Sequence, residues 1–131
     1  MDGRVRILER WIVVFIAIHS TAVGLLLLIA PGWSAEFGGW SAATPLFFTR
    51  QAGVFHIVVA IGYAIEYFRY GSVSFLVATK AVAFVFLAAA FLLGESAWAV
   101  PFSAIVDGLM AVVVVGLHTR RRGSPLQLGA S

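Results

Sequence analysis

At 131 residues, 61% of them hydrophobic and only 11% charged, this chain has no plausible reading as a water-soluble domain. The formal charge of +3 is owed mainly to two arginine clusters, Arg4, Arg6 and Arg10 near one end and Arg120, Arg121 and Arg122 near the other. A charge so divided is no sign of nucleic-acid binding. Cysteine is absent, which excludes disulfides, thiol redox relays and thiolate metal sites.

The first apolar stretch, Trp11 to Ala30, carries no formal charge. A helix that crosses the roughly 30 Å hydrocarbon core needs about 20 such residues. Arginines precede it as they would a signal peptide, but the stretch is longer than an ordinary signal core and no clean small-x-small cleavage site follows. It therefore reads as a retained first span. Pro31-Gly32 stops it, and PGWSAEFGGWSAATP follows as the only long connection. This loop either lies as a half-helix on the outer face of the membrane or forms a lid over an opening in the bundle. Trp33, Phe37, Trp40 and Trp98 fit an aromatic belt at one interface, and Trp11, Tyr67 and Tyr70 fit the other.

The second, third and fourth spans run over about 46–67, 73–93 and 97–117. All should be helical, because lipid offers no partner to an unpaired backbone amide. The expected fold is all-α, a polytopic antiparallel bundle of four transmembrane helices that forms a single domain over 1–131, with a mobile tail at 123–131. Arg69 lies in the short turn between the second and third spans, whereas the 31–45 and 94–96 connections contain no Lys or Arg. The positive-inside rule then puts both termini in the cytoplasm, as expected for a multi-pass protein of a plasma (inner) membrane. Small residues at helical spacing favour close packing: Ser20 with Gly24, Ala83 with Ala90, and Ala97, Ala104, Gly108 and Ala111.

Depth supplies the sharpest inference. At about 1.5 Å per residue, His19 and Lys80 lie roughly 10–12 Å from the cytoplasmic ends of their spans, and His56 and Asp107 roughly 15 Å from the outer ends of theirs. Four ionisable side chains from four spans thus share one slab near the midplane. A Lys or Asp facing lipid costs about 2.5–3.5 kcal/mol on insertion scales, so these groups should point inward and pair. Lys80 and Asp107, on adjacent antiparallel spans, are the expected intramembrane ion pair. Such a pair either fixes register or serves as a relay or ligand anchor.

The second span carries a stripe of Thr49, Gly53, His56, Ala60, Tyr63 and Tyr67. Arg50 and Gln51 lie beside it. Arg50 either snorkels to the outer head groups or joins Thr49 and Gln51 as the polar mouth of a cavity that narrows to His56, with His19 and Tyr63 on its wall. Glu66 and Arg69 are expected as a solvated i,i+3 pair.

No catalytic residue and no metal ligand stands out. Ser20, Ser103 and His56 lack a nucleophile-elbow context, and zinc finds no clustered ligands. His19 and His56 could in principle ligate one haem iron axially, but His19 points away from the Ser20 and Gly24 face. No cofactor is therefore assigned, with quinone and haem as the minor alternatives.

The string FFTRQAGVFHIVVAIGYAIEY, followed by ATKAVAFVFLAAAFLLG and DGLMAVVVVGL, resembles a group of small bacterial four-helix membrane proteins that are DoxX-like in layout. The resemblance rests on Arg50, Gln51, Gly53, His56, Lys80 and Asp107. Some DoxX-like proteins are linked to membrane oxidoreductase complexes and quinone-dependent sulfur oxidation, which implies an electron-transfer or subunit role. Two functions follow as expectations. One is a non-catalytic accessory subunit of a larger respiratory, photosynthetic or other membrane complex. The other is a binder of a lipid-soluble molecule such as a quinone, or a proton-relay component, acting through His56, Lys80 and Asp107. The expected partners are the lipid bilayer and a larger complex or a second copy of the chain.

Overall fold

Five helices account for nearly all of the backbone in the computed structural model, which describes residues 2–41 and 45–123. They are α1 (Asp2–Ile29), α2 (Pro31–Gly38), α3 (Leu46–Tyr70), α4 (Ser74–Leu92) and α5 (Ala99–Gly123). All but α2 are long and apolar enough to cross a membrane, and they pack as a bundle. The chain is a multi-pass membrane protein with four apolar spans. The tail expected from 123 onward lies outside the described residues after Gly123.

The helices extend beyond the apolar stretches. α1 begins at Asp2, nine residues before Trp11, and its 28 residues rise about 42 Å. That exceeds the roughly 30 Å hydrocarbon thickness, so its arginine-bearing turns project past the apolar layer. α5 likewise continues through Arg120, Arg121 and Arg122.

Neighbours in the bundle follow chain order. α1 packs most extensively on α3, and α4 on α5, while α1 meets α5 and α3 meets α4 along thinner seams. The start of α1 and the end of α5 therefore lie at one end, called here the terminal end, together with the turn after α3. α2 and the connection after α4 lie at the opposite end.

Local chemistry sets the corners. Pro31 opens α2, where a missing amide proton costs nothing. Trp98 Nε1 donates to the Phe37 carbonyl and its ring stands edge-on to Phe37 at 5.4 Å, which ties α2 to the start of α5. The half-helix is thus docked on the bundle. At the terminal end Gly71 takes φ +64°, a left-handed conformation that glycine adopts without strain, and the chain reverses into α4 within three residues.

Two glycines set the closest helix contact. A methyl group at Gly24 would lie 2.6 Å from the Gly53 carbonyl oxygen, and one at Gly53 would lie 2.6 Å from that of Gly24. The backbones of α1 and α3 touch there, which maximises dispersion contact where lipid provides no hydrophobic drive between helices. Towards the terminal end the core is filled by Val13, Ile16, Tyr63, Tyr67, Val73, Leu76, Met110 and Val114.

Gly24→Ala and Gly53→Ala should each destabilise the bundle by about 1–3 kcal/mol through overpacking. Gly116→Ala, which meets nothing within 4 Å, should be neutral or slightly stabilising. Unfolding titrations in mixed micelles decide the matter; equal effects at all three positions would remove the close-contact account.

Candidate functional site

The midplane layer is built by α4 and α5. Lys80 Nζ donates to Asp107 Oδ1 at 2.7 Å, and the two side chains are 6% and 15% exposed. Lys80 follows Leu76 by one turn on the buried face of α4, and Asp107 follows Ala104 on that of α5. Phe84, one turn beyond Lys80, covers Gly108. A short charge-assisted contact with both partners withdrawn from the surface is the geometry that offsets the desolvation of two ions.

Both membrane histidines lie within electrostatic reach of this pair. His56 is half-buried on α3, where its Cβ would lie 3.1 Å from a methyl at Gly24. His19 is half-buried on α1 and stacks on Phe15 at 6.5 Å. Its Nδ1 is buried without a partner, as is the Oγ of Ser20 beside it. Tyr63 is buried within the apolar core next to this layer.

The remaining candidates divide. Thr49 is half-buried on the same inward stripe as Gly53 and His56, whereas Arg50 and Gln51 are exposed on the outer surface of α3. Two surface grooves, one between α1 and α3 and one on α3, are lined by other residues. Among the described residues no cluster of three or more His, Asp or Glu side chains could hold a metal ion.

Glu66 departs from expectation. It forms no ion pair with Arg69; its carboxylate accepts from the Phe75 amide at 2.8 Å, the Leu76 amide at 3.3 Å and the Ser72 hydroxyl at 2.9 Å. The first amides of α4 have no intrahelical acceptors, and a carboxylate at the positive end of the helix dipole satisfies them better than it would a solvated arginine.

A second buried charge centre was not anticipated. Glu9 on α1 is fully buried and accepts from Arg121 Nη1 at 2.9 Å, while His118 Nδ1 stands 3.4 Å from the same oxygen, Oε1. Tyr67 adjoins it from α3, and Oε2 is buried without a partner. The site joins α1, α3 and α5 at the terminal end. A signal for it existed. Extending the Ser20 and Gly24 face backwards by helical steps reaches Ile16, Val13 and Glu9, all buried. On α5 the same periodicity carries Asp107 through Ala111 and Val114 to His118 and Arg121.

Comparison with family models, curated proteins and solved structures found no match. The shown likeness is thus that of a small four-span membrane protein, with no family assigned.

Lys80→Met or Asp107→Asn alone should cost about 3–5 kcal/mol, because each strands a buried charge. The double variant should recover part of that loss. A double-mutant cycle on unfolding free energy measures the coupling, and additive losses would show that the contact carries no energy.

Proposed function

We propose that this chain is a non-catalytic accessory subunit of a larger membrane complex. The observation that carries this reading is the closure of the Lys80–Asp107 pair. A charge bound at 2.7 Å to a buried partner is spent on holding α4 to α5 and is not offered to a passing solute. The outward faces of α3 and α4 are apolar over Val54, Phe55, Val58, Ile61, Val82, Val85 and Phe86, a surface suited to lipid or to other membrane helices. The resemblance of the sequence to DoxX-like proteins, some of which are linked to membrane oxidoreductase complexes, is in keeping with this reading.

Orientation belongs to the same reading. Arg4, Arg6, Arg10, Arg69, Arg120, Arg121 and Arg122 all lie at the terminal end. That asymmetry supports cytoplasmic termini in a bacterial inner membrane. Because the chain lacks cysteine, single-cysteine reporters are clean. In intact cells a membrane-impermeant maleimide should label Ser96→Cys and spare Ser72→Cys; the reverse pattern would invert the topology.

A second reading is favoured by one feature. The buried, unpartnered Nδ1 of His19 beside the charged layer is available to a carbonyl-bearing lipid-soluble molecule such as a quinone. Purification in mild detergent followed by native mass spectrometry separates the two. The subunit reading predicts stoichiometric co-purification of a larger membrane protein. A monomer or homo-oligomer that carries a quinone-sized adduct, lost in His19→Leu, would replace it with the binding reading.

A further inference from the structure

The exterior of the α1–α3 pair is not uniform. A groove of about 480 Å³ runs between the two helices, walled by Val14, Ile18 and Leu25 on α1 and by Ile61 and Phe68 on α3, with the small side chains of Ala17, Ala22 and Ala64 between. From Val13 to Leu25 it rises about 18 Å, close to the depth of one leaflet. Its lining is almost wholly hydrocarbon. A shallower depression lined by Ala64, Ile65, Phe68 and Arg69 adjoins it, so that Ala64 and Phe68 belong to both.

Cationic side chains stand where the groove opens at the terminal end. The Arg10 guanidinium lies over the Phe68 ring, 5.5 Å from its centroid, and Arg69, whose guanidinium lies over the Tyr70 ring at 5.8 Å, lines the adjoining depression. Both arginines are exposed, and neither forms an ion pair among the described residues. Arg121, by contrast, is engaged by Glu9. Trp11 is exposed beside Arg10, at the level where indole rings favour the membrane interface.

We infer that the α1–α3 groove binds an anionic phospholipid, with an acyl chain along Val14, Ile18, Leu25 and Ile61 and the headgroup phosphate between Arg10 and Arg69. Charge complementarity selects the occupant. A transmembrane helix or a second copy of the chain would fill the apolar groove but would leave two guanidinium groups at its mouth without an anion. The Arg10–Phe68 stack holds one of them in place before the lipid arrives. The lipid site is independent of the accessory-subunit reading, since it requires no protein partner.

The test is native mass spectrometry of the delipidated full-length chain with added phosphatidylglycerol or phosphatidylcholine of matched acyl chains. Phosphatidylglycerol should be retained preferentially, and Arg10→Gln combined with Arg69→Gln should weaken it by roughly thirtyfold, the effect of removing two surface arginines. Ala22→Trp, which fills the groove at an exposed position, should weaken both lipids alike. Millimolar inorganic phosphate should fail to displace the bound lipid. Equal retention of the two lipids by the unmodified chain would overturn the proposal, as would full phosphatidylglycerol binding by the double glutamine variant or displacement by phosphate alone. A dimer that Ala22→Trp dissociates would assign the groove to a second copy instead.

Discussion

A membrane interior offers no solvent to a charge, and the bundle meets that constraint at two levels. Lys80 and Asp107 meet at 2.7 Å near its middle, and Glu9 meets Arg121 at 2.9 Å at the terminal end. Each contact joins helices that are not held by close backbone packing alone. The first fixes the register of α4 on α5; the second fixes α1 on α5, whose shared seam is otherwise thin. Breaking either pair would leave a buried ion without compensation, which penalises every register but one.

At the midplane and just beyond it the helices approach by removing side chains rather than by adding them. Gly24 and Gly53 let α1 and α3 touch at their backbones, and Gly108 accepts the Phe84 ring where α4 crosses α5. Both contacts sit within a few residues of the midplane layer: Gly24 lies one turn beyond Ser20, Gly53 one turn before His56, and Gly108 next to Asp107. Close approach and charge pairing therefore reinforce each other. Short interhelical distances let a lysine and an aspartate reach one another without strain, and the pair keeps the small faces aligned.

Most of the fold was legible because a bilayer reduces the problem to length and polarity. Four apolar stretches gave four helices, and depth alone brought Lys80 and Asp107 to one level. What stayed hidden was hidden for physical reasons. Glu9 sits among Arg4, Arg6 and Arg10, where a headgroup-level flank is the natural reading; its burial depends on α1 being helical from Asp2 and on α5 running far enough to bring Arg121 opposite. Glu66 and Arg69 have the spacing of a surface pair, yet the tight turn at Gly71 delivers the bare amides of α4 to the carboxylate first. Arg50 was readable only as a choice between head groups and a cavity mouth, since a flexible side chain reaches either; the structure has it exposed.

The spacing of the two charge centres also bears on mechanism. Val13, Ile16, Leu76, Met110 and Val114 fill the interior between the Glu9 site and the Lys80–Asp107 layer, with Tyr63 and Tyr67 as the polar tips within that fill. Two buried charge centres separated by a packed hydrocarbon layer brace the bundle at two levels. That partition suits a bundle that holds its shape.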